Sequence, residues 1–439
     1  MVFGLIGIFV ALIFLIVMVM KGWPLLIVGA ISALLVCIFN GMDMVSGYLT
    51  TYMSGVGGFL TGQIPIFLWG AVFGELYGAS GAATSISRGI SRLLRGKKEH
   101  LSPLITILIV FLAGILLSYG GVSAIVLMFV MTPLTLELCR ESGIPRYMVP
   151  GMILGCIATS ALSMPGSPQI QNVVPISYLG TTSMAAAVPG FIAGILILAL
   201  NIIFLNYAAK KEMKAGHRFE DAQGSEAVPT ADEKLPNAIL SLIPMIIVFV
   251  LFNGVKLDVN FSLMVGIVAA FIIFAPYLGG FAGVIKSLGS AANNTCIVSC
   301  GAAAVAGFGS VVAATAAFGE LSGKLAQLNG SPLLIGMMAL MVMTLIGGSG
   351  PAGLASGLPM FQPVMAQMGV SMSAFHRISA FAATTFDTLP TNAGFIAATE
   401  IAKVEAGKSY KYVGVCTVLN TTVGTIVLTL ILMAFPGLA

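Results

Sequence analysis

Two short polar stretches, each broken by proline, interrupt an otherwise apolar chain at comparable points of its two halves. The first runs from Ser163 through Met164-Pro165-Gly166-Ser167 to Gln169, Gln171 and Asn172. The second runs from Thr385 through Asp387, Thr388 and Leu389-Pro390-Thr391 to Asn392. A glycine-rich interruption lies upstream of each: Ser118-Tyr119-Gly120-Gly121-Val122-Ser123 in the first half, Gly347-Gly348-Ser349-Gly350-Pro351-Ala352-Gly353 in the second. Proline removes a backbone donor and clashes with the preceding turn, so a membrane helix carrying it breaks and leaves main-chain groups free. The N-terminus of the resumed half-helix then offers unpaired N–H groups and a partial positive charge, which suits a carboxylate or a phosphate. Glycines let a solute reach bare backbone, and neighbouring hydroxyls and amides can recognise its hydroxyl groups. These features predict a substrate-binding set of Ser118, Gly120, Gly121, Val122, Ser123, Ser167, Gln169, Asn172, Gly348, Ser349, Gly350, Thr388, Thr391 and Asn392. Small residues also let membrane helices pack closely without binding anything. Two clusters in matching positions, each paired with a proline break, favour binding over packing alone.

An ionisable group within a membrane span is costly, so each acid in this apolar chain needs a partner or a task. Asp387 is the only acid in either break. Aligning Pro165 with Pro390 sets it opposite Leu162, so it has no counterpart in the first half. It reads either as a proton-coupling group or as the N-terminal cap of the half-helix that begins after Pro390. Glu75 and Glu320 sit in a repeated Gly-Glu-Leu, at Gly74 to Leu76 and Gly319 to Leu321, and are expected to accept hydrogen bonds from a neighbouring hairpin or to share in coupling. Glu137 lies near Arg140 as a surface partner. His376 and Arg377 fall at the start of a span, where Arg377 is expected to snorkel to lipid headgroups at the outer interface. With no other basic residue expected at mid-membrane depth, a carboxylate would be held by dipoles and neutral donors, which favours a singly charged substrate.

The composition supplies the solvent for these groups. Hydrophobic residues make up 58% of the chain and charged ones 8%, and the mean hydropathy is +1.04. Such a chain cannot cover a soluble globule with polar surface, so its partner is the lipid bilayer. Apolar runs near the ~20 residues that cross hydrocarbon recur, as at Met1 to Met20, Ala185 to Asn206 and Val413 to Pro436. The first run has no preceding basic segment and no small-residue cleavage pattern, and reads as a span instead of a removed signal peptide. The six cysteines lack metal-ligand spacing, so neither a metal nor another cofactor is expected. There is no nucleophile elbow, no zinc motif and no phosphate loop before a lysine, which argues against an enzyme. No nucleic-acid partner is expected either.

Basic residues orient the chain. Arg88, Arg92, Arg95, Lys97, Lys98 and His100 crowd one connection and Arg140 and Arg146 the next, and both are expected in the cytoplasm. The stretch between them starts and ends on one side yet is too long for a single crossing. It therefore reads as a re-entrant hairpin, about residues 101–139, with its tip at Ser118 to Ser123. A broken span follows over about 147–180. Residues 1–206 form the first repeat, 207–236 a cytoplasmic linker whose Lys210, Lys211 and Lys214 belong to a solvated loop, and 237–439 the second repeat. The second repeat holds a hairpin at about 332–367 and a broken span at about 372–399. The expected fold is an all-α polytopic membrane protein with about five full spans and one re-entrant hairpin per half, about ten spans in all. An odd number of spans per repeat inverts the second relative to the first, so the two tips meet near the bilayer centre.

These residues resemble a known family. Met164-Pro165-Gly166-Ser167-Pro168-Gln169-Ile170-Gln171-Asn172, with Gly180-Thr181-Thr182 after it, resembles the proline-rich break of the gluconate permease family. Phe386-Asp387-Thr388-Leu389-Pro390-Thr391-Asn392-Ala393-Gly394 is similar to the Asp-Thr-Leu-Pro segment of that family's hydroxybutyrate permease-like members. The resemblance covers most of the chain. It implies proton-coupled uptake of a small organic anion, a sugar acid or short hydroxy acid such as gluconate, glycerate, lactate or 3-hydroxybutyrate. It also implies membership of a wider ion transporter superfamily of inverted-repeat carboxylate carriers, a homodimer, an elevator motion, and the inner (plasma) membrane of a prokaryote. Where related members carry a histidine after the second proline, this chain has Thr391, so a proton role at that position is not carried over. The residues themselves leave open proton coupling, a sodium-coupled carboxylate or amino-acid carrier, and an anion channel.

Overall fold

A computed structural model describes residues 2–21, 23–95, 101–220, 235–320, 331–347, 350–390 and 392–439. Helices make up its regular structure, and no strand occurs among the described residues. Hydrocarbon offers backbone N–H and C=O groups no partner, and a helix satisfies them within one segment. Five helices are long and apolar enough to cross a membrane, and several shorter apolar ones accompany them. The chain is a multi-pass membrane protein.

The first half opens with α1 (Val2–Met20), α2 (Leu25–Asn40) and the long α3 (Met44–Ala79), followed by α4 (Ala82–Arg95), whose last turns carry Arg92 and Arg95. A helix pair comes next, α5 (Pro103–Tyr119) and α6 (Ala124–Ser142). Ser102 caps α5 by accepting from the Ile105 N–H at 3.4 Å, with Pro103 in the first turn where no donor is missed. The pair reverses at Gly120 to Ser123. Gly121 stands at φ +94°, a backbone geometry that side chains rarely adopt. The broken span then runs as α7 (Val149–Ile157), α8 (Ser160–Ser163) and α9 (Ile170–Leu179), and α10 (Ala187–Lys214) closes the half.

The second half follows a similar order. It comprises α11 (Ala238–Gly254), α12 (Val259–Phe274) and the long α13 (Gly280–Ala313), then the pair α14 (Pro332–Gly347) and α15 (Gly350–Gln367). A broken span, α16 (Met372–Thr385) and α17 (Ala393–Ala402), precedes α18 (Ala406–Ala434). The long helices α3 and α13 pack along each other, one from each half. Glycine permits that approach: a Cβ on Gly307 would stand 2.7 Å from Val56 and 2.8 Å from the Tyr52 ring, and one on Gly55 would run into Ser310 Oγ. Both α14 and α15 pack on α16, so the second hairpin and the second break share one framework.

Two local expectations are corrected. The repeated Gly-Glu-Leu does not mark equivalent places: Gly74-Glu75-Leu76 lies inside α3, whereas Gly319-Glu320 comes after α13 has ended. Lys210, Lys211 and Lys214 are not in a loop but on the last turns of α10. Helix continues past the apolar run because Glu212 is held there. Its carboxylate accepts from Tyr412 Oη at 2.5 Å, Tyr147 Oη at 2.8 Å and Lys411 Nζ at 2.9 Å, and pairs with His217 Nδ1 at 2.7 Å. Lys97, Lys98, His100 and linker residues 221–234 lie outside the described residues.

Candidate functional site

The two breaks and the two hairpin ends border one cavity of about 250 Å³. The first half contributes Gly121, Ser123 and Ala124 from its tip and Pro168 to Gln171 from its break. The second contributes Pro351, Asp387, Thr388, Asn392 and Gly394. The long helices complete the wall, α3 with Ile66, Phe67 and Glu75, and α13 with Asn294 and Thr295. The size suits a small solute.

Asp387 links three of these elements. One carboxylate oxygen accepts from the Gly350 N–H at 2.6 Å, and the other accepts from Gln171 Nε2 at 3.1 Å. It therefore caps the start of α15 in the second hairpin. The cap of the half-helix after Pro390 is Asn392, whose side chain accepts from the Gly394 N–H at 2.7 Å. The protein's own carboxylate already occupies the Gly350 N–H, so a solute carboxylate does not have it free. Gly350 has to be glycine, since a Cβ there would stand 2.6 Å from the Ala383 carbonyl and 3.1 Å from both Asp387 and Gln171.

The first tip is held differently. Gln169 Nε2 donates to the Ser118 carbonyl at 2.8 Å and the Val122 carbonyl at 2.9 Å, locking the first break to the end of α5. The helices that start at this end, α6 after Ser123 and α9 after Gln169, have no side-chain cap. Their first turns face the cavity with their backbone donors unclaimed by side chains.

Of the remaining acids, Glu75 borders the cavity and accepts from Ser290 Oγ at 2.8 Å and Asn294 Nδ2 at 3.4 Å, both on α13 and not on a hairpin. Glu320 is exposed and away from the cavity. No lysine, arginine or histidine borders the cavity among the described residues.

Arg377 departs most from expectation. It does not snorkel to an interface but is fully buried, as is His376. The guanidinium donates to the carbonyls of Ser163 at 2.6 Å, Ala185 at 2.9 Å and Ser183 at 2.9 Å, and to Asn172 Oδ1 at 2.8 Å. His376 adds contacts to Asn172 Oδ1 at 3.2 Å and to Thr181 Oγ1 at 2.6 Å. The physical reason lies in the first break, whose irregular backbone leaves carbonyls that no helix satisfies, and a guanidinium offers five donors in a fixed fork. A side chain of the second half thus fastens the first broken span.

The expected binding residues now divide. Gly121, Ser123, Gln169, Thr388 and Asn392 border the cavity. Asn172 does not: its amide is spent on Arg377, His376 and the carbonyls of Ser167 and Ser183. Ser167 donates to the Ala161 carbonyl at 2.7 Å, and Ser118 and Val122 are buried behind the tip. Gly120 faces Met245, not a solute path. Gly348, Ser349 and Thr391 lie outside the described residues. Sequence reasoning passed over Asn294 and Thr295, although a polar pair inside an apolar helix as long as α13 is itself a signal.

No family model matches the chain. A relative, the uncharacterized transporter YxjC of Bacillus subtilis (strain 168), is 26% identical over 447 aligned residues, covering 91% of this chain and 93% of its own length. Among solved structures, the crystal structure of the Alcanivorax borkumensis YdaH transporter, described as having an unusual topology, superposes with a TM-score of 0.62 at 14% identity. That superposition covers 90% of each chain, so the architecture built here from hairpins and broken helices is a fold shared with a transporter structure.

Proposed function

We propose that this chain is a secondary active transporter that takes up a small hydroxylated monocarboxylate by proton symport. The observation that carries the reading is a single cavity bordered by both hairpins and both breaks, with Asp387 tying one tip to the two breaks. Broken helices around a central cavity are what a carrier uses to bind a solute at mid-depth and expose it to alternate sides. The likeness to proteins named transporters supports the same class.

Charge favours proton coupling. An anion entering a space bordered by Asp387 and Glu75, with no basic side chain around it among the described residues, meets like charges unless an acid is neutralised. A proton taken up by Asp387 removes that repulsion, so proton and anion travel together. The substrate carboxylate sits toward Ser123 and Gln169, where helix starts lack side-chain caps, and its hydroxyls face Thr388 and Asn392. The absence of a bordering cation is the reason for one carboxylate and not two or three. The resemblance of the two proline segments to the gluconate permease family points to sugar acids and short hydroxy acids. In this reading residues 1–206 and 237–439 are inverted repeats, the hairpins and breaks move together as an elevator, and the protein is a homodimer in the inner membrane of a prokaryote.

Sodium coupling is the second reading, favoured by the oxygen-rich lining of Asp387, Glu75, Asn294, Thr295, Thr388 and Asn392. Counterflow in proteoliposomes decides between them, with gluconate, glycerate, lactate, 3-hydroxybutyrate, serine and citrate, each with and without imposed proton and sodium gradients. Uphill uptake of a monocarboxylate driven by a proton gradient alone is expected. Uptake that needs sodium replaces the coupling ion, and uptake of serine or citrate alone removes the substrate class.

A further inference from the structure

A second cavity, of about 380 Å³, lies on the other side of Ile66, which borders both. It is built by α3, α9 and the turn between α11 and α12. Gln63 projects from α3 and is only 2% exposed. Its Nε2 donates to Ser177 Oγ at 3.2 Å, but its Oε1 has no partner. Asn260, at the start of α12, likewise has a buried Oδ1 with no partner. Gln63 and Asn260 both border the space, although the two oxygens themselves are buried; a buried acceptor left unmet costs about 1 to 3 kcal/mol, so a donor entering the space toward which these amides rotate would recover that cost.

Charge adds a second constraint. Lys256 borders the same cavity, is exposed, and has no ion pair among the described residues. Its backbone stands at φ +61°, a left-handed geometry uncommon outside glycine. Asp258 does not cancel that charge at contact range, because its carboxylate is turned to its own helix and accepts from the Asn260 N–H at 2.9 Å. One free ammonium and two acceptors that lack donors match a ligand with a carboxylate at one end and hydroxyls at the other.

We propose that this second cavity is a binding site in its own right for a hydroxycarboxylate, the carboxylate against Lys256 and the hydroxyls donating to the side-chain oxygens of Gln63 and Asn260 as these amides rotate toward the ligand. The ligand class rests on the function proposed above; the site rests on the unmet acceptors and the free lysine. By the positive-inside reading the turn that carries Lys256 faces outside, so this is the antechamber that loads the central cavity past Ile66.

Equilibrium dialysis of the full-length protein in nanodiscs with radiolabelled 3-hydroxybutyrate and gluconate tests it, with butyrate as the analogue that lacks a hydroxyl. Two molecules of a hydroxy acid per chain are expected, and one of butyrate. Lys256→Gln, at an exposed position that does not threaten folding, should weaken one of the two sites about fivefold. Gln63→Leu should abolish that same site, and both variants should raise KM for uptake while kcat holds. One hydroxy acid per chain in the unaltered protein, two butyrates, or two unaltered sites in Lys256→Gln would each overturn the antechamber and leave the central site standing. Failure of both hydroxy acids to bind at all would instead remove the proposed substrate class, and the antechamber with it.

Discussion

Replacing Asp387 by asparagine separates the two tasks that its position allows. The carboxylate accepts from the Gly350 N–H at 2.6 Å and from Gln171 Nε2 at 3.1 Å. Asparagine caps a helix about as well as aspartate, so the bond to Gly350 survives in neutral form. Gln171 must turn its amide to offer an oxygen to the new NH₂, which the side chain can do. Exchanging two charge-assisted bonds for neutral ones costs about 1 to 2 kcal/mol, well inside the roughly 5 to 15 kcal/mol that hold a folded domain. Alanine is harsher. It removes the cap, about 0.5 to 2 kcal/mol, and strands Gln171 beside the cavity for about 1 to 3 more. Asp387→Asn should therefore fold and exchange substrate across proteoliposomes near the normal rate, because exchange moves no net proton. It should fail to accumulate substrate under an imposed proton gradient. Asp387→Ala should lose both activities. An asparagine variant that still concentrates substrate under a proton gradient would leave Asp387 as a cap alone and pass coupling to Glu75 or to sodium. Loss of exchange in a well-folded asparagine variant would make Asp387 a substrate ligand.

Arg377→Ala strands buried carbonyls of the first break and should destabilise the protein by about 3 to 5 kcal/mol in detergent unfolding, while Arg377→Lys, which cannot span the same fork of acceptors, should recover only part of that. Gly350→Ala drives a methyl into the Ala383 carbonyl and Asp387, so it should mimic Asp387→Ala in transport. Gly121→Ala should instead show its effect as about 1 to 3 kcal/mol of lost stability, since φ is +94° there. Cysteines placed at Arg95 and Arg140 should react with a membrane-impermeant reagent from the cytoplasmic side only, and one at Met368 from the opposite side only. Labelling of Arg95 and Arg140 from different faces would remove the re-entrant hairpin and the inverted repeat.

The difference between what sequence conveys and what it hides is clearest at the breaks. Prolines 165 and 390 and the glycines around them act through their own backbones, so helices end beside them and the segments are readable from residue type alone. Asp387 is readable because an acid in an apolar run is rare. Arg377 was misread because its partners are the carbonyls of Ser163, Ser183 and Ala185, and a carbonyl has no residue type to announce it. Asn172 was misassigned because its amide oxygen is consumed by Arg377, more than two hundred positions away, a contact that sequence spacing does not show. Gly-Glu-Leu misled because a three-residue match in a chain rich in glycine and leucine arises without structural equivalence. Only the helix ends at Ala79 and Ala313 reveal that one copy lies within the long helix of its half, while Gly319 and Glu320 lie past the end of its counterpart, on a separate helical segment from Ala316.

The two tips meet one requirement with different chemistry, and the difference bears on coupling. The first is fastened by a neutral amide: Gln169 holds the Ser118 and Val122 carbonyls, and no pH in the physiological range alters that grip. The second is fastened by a carboxylate, and a hydrogen bond to an ionised acceptor is about twice as strong as one to a neutral acceptor. If Asp387 is where the proton rides, loading it weakens the bond to Gly350 and leaves the first tip untouched. Two acids holding the two tips would loosen both at once on protonation. With one titratable tip and one fixed tip, a proton on Asp387 acts on the second tip alone, while Gln169 keeps the first one fastened in either protonation state.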